Sequence, residues 1–313
     1  MSLQGGPWIW TASLRYLYTV LILGAWIAVR HGPAILGDIL RQFRANWEFW
    51  TFTGTIGVGI FYGSVCFAST HAPAWIIAST WQFTIVAGVL IFPLFGKPIP
   101  RRALYTSLLI FAGLLLVDLS SRRDGEIENI FLAVIPMFVA AFAYPIGNQI
   151  VGEAKSSGTG PGWIPRAWIP RTGVPVLQLA SARVLLMSLG SMPFWLSALA
   201  IVRPAAPSVG QLAQTAAVAL CAGVIGTSLF LHARHEALSP VEIAAVDATQ
   251  AAEIVFALLM EMAFLGGRLP GGVGMIGLGL VLVGLVAYSR TQSSSGITAG
   301  TSRAAIPEYT QAS

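Results

Sequence analysis

Nine long apolar segments dominate the sequence, and they decide what the chain can fold into. About 20 apolar residues are enough for a helix to cross a bilayer, and only a helix satisfies every backbone group of such a segment within lipid. The sequence therefore predicts an all-α integral membrane protein with nine transmembrane helices. The segments are residues 8–29, 49–70, 74–95, 102–120, 130–152, 176–201, 209–232, 241–265 and 271–289.

The composition agrees with a multi-pass membrane protein. Apolar residues make up 55% of the chain and charged residues only 10%, where soluble proteins carry about 25% charged residues. The net charge of +5 comes from basic residues between the apolar runs, which is typical of membrane-protein loops and not of a nucleic-acid surface. Cys66 and Cys221 lie inside apolar segments without zinc-site spacing. We therefore expect no nucleic-acid partner, metal or cofactor.

The loops predict an orientation. With the N-terminus outside, twelve basic residues fall in inside segments and four in outside segments, a clear positive-inside bias. This places the C-terminus in the cytoplasm. The inside residues are Arg30, Arg41, Arg44, Lys97, Arg101, Arg102, Lys155, Arg166, Arg171, Arg234, Arg290 and Arg303, and the outside ones are Arg122, Arg123, Arg203 and Arg268.

The chain also contains an internal repeat. The segment Ala12–Leu17 returns 168 residues later as Ala180–Leu185, and Gly59–Pro73 parallels Gly226–Pro240 at nearly the same offset. The period spans five helices, and an odd number of crossings inverts the second copy in the membrane. The pattern predicts an inverted-repeat bundle, an architecture of secondary transporters.

Two five-helix repeats require ten helices, whereas nine are visible. We assign residues 1–129 to a first repeat of four helices, residues 130–290 to a second repeat of five, and residues 291–313 to a disordered cytoplasmic tail. The helix without a mate is 130–152. We expect its counterpart to be encoded directly upstream of Met1, and a true nine-helix protein is the alternative.

Three stretches resemble one family. Trp8–Tyr16, Tyr144–Gln149 and Glu242–Glu253 are similar to the second, sixth and ninth helices of the putative multidrug resistance efflux transporter family, a branch of the drug/metabolite transporter superfamily. The resemblance implies an EamA-like ten-helix fold of five plus five inverted helices that exports small molecules. The long Lys155–Gly173 connection departs from the family pattern.

Ionisable side chains within the apolar segments are the first candidates for function, because each costs about 2.5–3.5 kcal/mol at mid-helix on insertion scales. Asp247, Gln250 and Glu261 fall on one stripe of the segment 241–265. Glu253 lies near its midpoint, where a carboxyl group could bind and release the proton of an antiporter. The alternative is that Glu253 only holds helices together through a hydrogen bond.

Arg15 and Arg183 occupy equivalent positions of the two repeats. Asp247 lies at a similar depth to Arg183, so we favour a structural ion pair between them over an anion-binding role. In the first repeat Thr80 takes the place of Asp247. Arg15 is therefore expected to extend outward toward the membrane surface.

Asp247 and Gln250 are predicted to line the substrate path, together with two further pairs. Asn148 and Gln149 follow Pro145, which frees a backbone carbonyl and bends the helix, although a simple packing kink is an equal alternative. Trp81 and Gln82 lie in the analogous region of the first repeat, and the indole suits a hydrophobic or cationic ligand.

The sequence favours a secondary exporter that is coupled to protons by antiport and works by alternating access, rather than an enzyme. A second hypothesis keeps the fold and makes the substrate an anionic metabolite bound by the intramembrane arginines. A third, a membrane enzyme or scaffold, lacks a supporting constellation. Expected partners are a small-molecule substrate and the bilayer, and a homodimer is left open.

Overall fold

The computed structural model is an all-α membrane protein, as predicted, and the described residues contain no strand. It describes residues 6–96, 99, 101–123, 130–157, 163–170, 175–226, 229, 233, 249, 252–264, 266–267 and 269–294. We number ten helices within these ranges. They are α1 (Trp8–His31), α2 (Pro33–Ala45), α3 (Trp47–Ala68), α4 (Ala74–Leu90), α5 (Arg101–Arg123), α6 (Ile130–Ser157), α7 (Ala180–Val202), α8 (Val209–Gly226), α9 (Ala252–Phe264) and α10 (Gly272–Ser294).

Nine of these helices fall on the nine predicted segments. Within the described residues, α1, α3, α6, α7 and α8 are long and apolar enough to cross a membrane, and α4, α5 and α10 contain shorter apolar stretches. Helix α10 extends to Ser294, beyond the predicted start of the tail at residue 291. The rest of that tail lies outside the described residues, as does most of the segment 227–251.

Two helix ends differ from the predicted spans. Helix α4 ends at Leu90 and is followed by a 3₁₀ turn, Phe92–Phe95, so the predicted span 74–95 was too long. Helix α7 begins at Ala180, after a 3₁₀ turn at Pro175–Gln178, and not at residue 176. Arg183 is therefore the fourth residue of α7 and lies in its first turn.

Helix α2 was missed by the sequence analysis, which treated the chain between the first two spans as an inside loop. It is amphipathic: Ile39 is fully buried, and Leu36 and Phe43 pack beside it against the core. On the other side, Arg41 Nη1 lies 3.1 Å from Asp38 Oδ1. The apolar residues recur at helical spacing, which is the signal that could have revealed the helix.

The core consists mainly of two apolar clusters that share α6. One joins α1, α2, α3 and α7 to the C-terminal half of α6 through Ile150 and Val151. The other joins α4, α5, α9 and α10 to the N-terminal half of α6 through Ala133 and Ala141. Helix α6 therefore lies between the clusters and carries Pro145 at the change from one to the other.

Small residues allow close helix crossings. A Cβ on Gly113 of α5 would lie 2.8 Å from the Gly277 carbonyl oxygen of α10, and a Cβ on Gly277 would lie 2.8 Å from the Gly113 oxygen. At a second crossing, a Cβ on Gly57 of α3 would lie 3.0 Å from Gly147 Cα of α6. Only glycine fits such backbone contacts, which are common between membrane helices.

Candidate functional site

A guanidinium and a phenol ring meet between α1 and α3. Arg15 Nη1 donates a hydrogen bond of 2.6 Å to Tyr62 Oη, and the Arg15 Cζ atom lies 4.4 Å from the centroid of the same ring. Tyr16 meets the Tyr62 ring edge-on at 5.4 Å between centroids. The contact is therefore both a hydrogen bond and a cation–π interaction.

Local helix geometry places the rings of α3. Residues Thr55–Ile60 form a π-helical turn directly before Phe61 and Tyr62, and π turns are frequent at functional sites because they change which side chains face a neighbour. The Gly57–Gly147 crossing lies one turn away and draws α3 against α6. The two features together set Phe61 against α6 while Tyr62 faces Arg15 on α1.

Three rings continue the surface away from Arg15. Phe61 lies 4.9 Å from Trp81 and 5.0 Å from Tyr144, and Trp81 lies 5.5 Å from Tyr144, all between ring centroids. Phe61 is also 5.9 Å from Tyr62. We call the surface formed by Arg15, Tyr62, Phe61, Trp81 and Tyr144 the ring wall. Of these five residues, only Arg15 and Trp81 were predicted from the sequence as candidate site residues.

The Arg15 guanidinium is held between α1 and α3 and does not reach the N-terminal end of α1. Trp8 and Phe67 pack edge-to-face at the N-terminal end of α1 and the C-terminal end of α3, with centroids 5.6 Å apart. Tyr62 lies five residues before Phe67, which corresponds to about 8 Å along a helix. The guanidinium stays at the level of Tyr62, and it has no carboxylate partner among the described residues. The nearby ionisable groups are Tyr16, Tyr62 and Cys66, all uncharged at neutral pH.

Arg183 has different partners. Its Nη1 donates to the backbone carbonyl oxygens of Leu177 at 2.7 Å and Gln178 at 3.0 Å. The guanidinium thus ties the 3₁₀ turn to the first turn of α7. Asp247 lies outside the described residues, so the Arg183–Asp247 pair stays a prediction.

The two carboxylates of α9 differ in their contacts. Glu261 Oε2 accepts hydrogen bonds from the backbone N–H groups of Ala74 at 2.6 Å and Trp75 at 3.3 Å. It caps the N-terminus of α4, where a negative charge is favoured by the helix dipole. Glu253 lies eight residues away and is exposed. It forms no hydrogen bond or ion pair within the described part of the chain.

The predicted polar residues are spread over several environments. Asn148 is exposed and its Nδ2 donates to the Tyr144 carbonyl oxygen at 2.9 Å, while Gln149 Nε2 donates to Glu153 Oε1 at 2.7 Å. Gln82 is buried at the break of α4 and donates to the Ala78 carbonyl oxygen at 3.4 Å. Gln250 lies outside the described residues. Among the described residues no group of His, Cys, Asp or Glu could hold a metal ion.

A multi-pass helical bundle of this kind, with an arginine and aromatic side chains at membrane depth, has the character of a membrane transport protein. The model of the putative multidrug resistance efflux transporter family matches residues 1–294. The chain belongs to this family of membrane efflux transporters, which agrees with the resemblance found in the sequence.

Two relatives cover most of the chain. The uncharacterized protein YjlA of Bacillus subtilis (strain 168) is 34% identical over 305 residues, which cover 92% of this chain and 87% of YjlA. An uncharacterized 42.1 kDa protein from the intracellular alkaline protease 3' region of Shouchella clausii is 32% identical over 245 residues. That match covers 74% of this chain and 59% of the relative.

Proposed function

We infer that the protein is a secondary active exporter of small molecules that exchanges its substrate for protons. The observation that carries this proposal is the contrast between the two carboxylates of α9. Glu261 is engaged at the N-terminus of α4, whereas Glu253 has no partner in the described part of the chain. A free carboxylate is available to take up and release a proton, and a capping one is not.

The depth of Glu253 supports the same assignment. Eight residues of helix separate it from Glu261, or about 12 Å, and Glu261 marks the end of the membrane at which α4 begins. The apolar core of a bilayer is about 30 Å thick, so Glu253 lies well inside it. A carboxylate at that depth is costly unless it is protonated or faces water, and a proton-coupled transporter uses both conditions in turn.

Alternating access by two inverted repeats is the mechanism that fits this proposal. A π-helical turn occurs at Thr55–Ile60 in α3 and at Ala219–Gly226 in α8, the helices that the predicted repeat makes equivalent. Such a recurrence supports the division into repeats at residues 129 and 130. The ring wall would line the substrate path from the first repeat.

We propose in addition that the C-terminus is cytoplasmic, as the distribution of basic residues predicts. Fusions to the C-terminus test this. A fluorescent protein that folds only in the cytoplasm should be bright, and alkaline phosphatase, which is active only outside, should be inactive. The reverse result would invert the orientation.

The coupling proposal is tested in proteoliposomes with an imposed pH gradient and a panel of organic cations and anions. Glu253→Gln should keep exchange of substrate down its own gradient and lose uphill transport driven by protons. The matched control is Glu261→Gln on the same helix, which should keep proton-driven transport per folded molecule. Full proton-driven transport by Glu253→Gln would remove the coupling role from this residue.

A further inference from the structure

The Arg15 side chain has more N–H donors than its contacts among the described residues use. A guanidinium carries five N–H donors in a planar fork, and Arg15 donates one hydrogen bond to a side chain, Tyr62 Oη, within the described residues. Arg183 uses its guanidinium differently, on two backbone carbonyls of its own segment. The two arginines at matching sequence positions are therefore unequal: Arg183 is bonded to the backbone of its own segment, whereas Arg15 reaches a side chain on another helix.

The charges around the Arg15 guanidinium also favour the binding of a further acceptor. Among the described residues, the ionisable neighbours of the Arg15 guanidinium are Tyr16, Tyr62 and Cys66, and none of these three carries a negative charge at neutral pH. A cation at membrane depth without a counter-ion is expensive, so such sites are most stable when an anion is present. A planar anion with two oxygens, a carboxylate, matches the fork with two parallel hydrogen bonds.

The rings beside Arg15 are open, which distinguishes them from an ordinary aromatic core. Phe83 packs against Phe111, Phe138 and Phe142 in the second cluster, and Phe83 is only 5% exposed. In the ring wall Tyr144 is 40% exposed, and Phe61, Tyr62 and Trp81 are all partly exposed. These rings leave accessible faces next to the guanidinium.

We propose that Arg15 and the ring wall form a binding site for a flat aromatic carboxylate. The carboxylate lies on the Arg15 fork, and the ring of the ligand stacks on Phe61 and Trp81, the part of the wall adjacent to Tyr62. This inference rests on the proposed export function, whose substrate class it names. It also assigns a selectivity, because the charge of Arg15 repels an organic cation of the same shape.

Equilibrium binding of radiolabelled 1-naphthoate to the purified full-length protein in phosphatidylcholine nanodiscs tests the site. Arg15→Gln should raise the Kd by at least about tenfold, the loss expected when a charge-assisted pair is removed. Arg15→Lys should recover only part of the affinity, since an ammonium lacks the planar fork. The matched control, Arg183→Gln, should keep the wild-type Kd per folded molecule.

Four further measurements decide which ligands the site recognises. The cation 1-naphthylmethylammonium should fail to compete with 1-naphthoate, and inorganic phosphate should compete poorly because it has no ring to stack. Trp81→Ala should weaken 1-naphthoate more than butanoate. At a salt concentration that screens the lipid surface charge, nanodiscs with phosphatidylglycerol should leave the Kd unchanged, whereas a Kd that rises with the anionic lipid under these conditions would assign Arg15 to a lipid phosphate and overturn the proposal.

The test separates this inference from the coupling proposal. If Arg15→Gln binds 1-naphthoate as tightly as the wild type, the site is wrong, and proton-driven export through Glu253 is unaffected. Binding that depends on Arg15, together with proton-independent transport, would support the site and remove the coupling. If Arg15→Gln fails to fold, the Kd of 1-naphthoate is measured for Arg15→Lys and Tyr62→Phe instead. A wild-type Kd in both variants would contradict the proposed site.

Discussion

Arg15 and Arg183 come from two six-residue stretches of matching sequence, Ala12–Leu17 and Ala180–Leu185, yet they meet opposite environments. Arg15 lies at the eighth position of α1 and reaches a phenol on another helix. Arg183 lies at the fourth position of α7 and reaches the carbonyls just before it. The comparison teaches that two matching sequence stretches can carry the same residue type. The distance of that residue from the start of its helix then decides which groups its side chain contacts.

The start of each helix follows from its flanking sequence. Helix α1 begins at Trp8, after Pro7, and its N-terminal end is held by Trp10 Nε1, which donates to the Ala205 carbonyl oxygen at 2.8 Å. Helix α7 is preceded by Pro175, which opens the 3₁₀ turn. The α-helix itself begins at Ala180, five residues after Pro175. Arg183 then lies next to carbonyls that need a donor.

The largest expected effect concerns the Gly57–Gly147 crossing, which supports the ring wall. Gly147→Ala would place a methyl group against Gly57 Cα and force α6 away from α3. Overpacking of this kind costs about 3 kcal/mol of unfolding free energy. Gly152→Ala on the same helix meets no atom within 4 Å and should be neutral or stabilising. Thermal unfolding in detergent compares them, and equal losses would contradict the role of the crossing.

The next effect tests the comparison directly. Arg183→Gln removes a charged donor from two carbonyls and should lower the free energy of unfolding by about 2 kcal/mol. Arg15→Gln removes a cation that lacks a counter-ion among the described residues, and should leave stability unchanged or raise it. Denaturant titration of both variants in the same detergent gives the difference. A larger loss for Arg15→Gln would show that Arg15 is the structural member of the pair.

The carboxylates of α9 offer a parallel contrast. Glu261→Gln weakens the cap of α4 and should cost about 1 kcal/mol, the usual value of a helix N-cap with a charge. Glu253→Gln should change stability little, since no described residue bonds to its carboxylate. Unfolding temperatures of the two variants check this. A destabilised Glu253→Gln would point to a structural partner instead of proton coupling.

The smallest effect isolates one contact of Arg15. Tyr62→Phe keeps the ring under the guanidinium and removes the acceptor of the 2.6 Å hydrogen bond. Hydrogen bonds between membrane helices contribute about 0.6 kcal/mol on average, so the loss should be near that value. Trp81→Phe, which keeps a ring in the wall, is the control for a general disturbance of aromatic packing. A loss above about 2 kcal/mol would make Tyr62 a main structural anchor.

Much of the fold could be predicted from apolar segment lengths alone, because lipid leaves the backbone few choices. Helices α1, α3, α5 and α6 lie where the sequence placed them. The misses have local causes. Helix α2 was hidden by its low overall apolarity, and α4 and α7 were shortened by 3₁₀ turns beside Pro93 and Pro175.

The candidate site was predictable only where a residue type is rare in a membrane. Arg15 and Glu253 stand out as charges, and Trp81 as a large ring beside a glutamine. Tyr62 and Tyr144 are common in apolar segments and gave no signal. The bond from Glu261 to Ala74 joins residues 187 positions apart, and no spacing rule reaches that far. The ring wall likewise depends on a π turn and a glycine crossing, neither of which changes the apolar pattern.

The place of α6 between the two clusters has a mechanical consequence. Its N-terminal half is packed with one cluster and its C-terminal half with the other, so the clusters cannot turn against each other without bending the helix between Ala141 and Ile150. Pro145 removes a backbone hydrogen bond within that interval, so α6 is expected to bend most easily there. Tyr144 of the ring wall lies directly beside Pro145, so a bend of α6 at this point would move the aromatic surface.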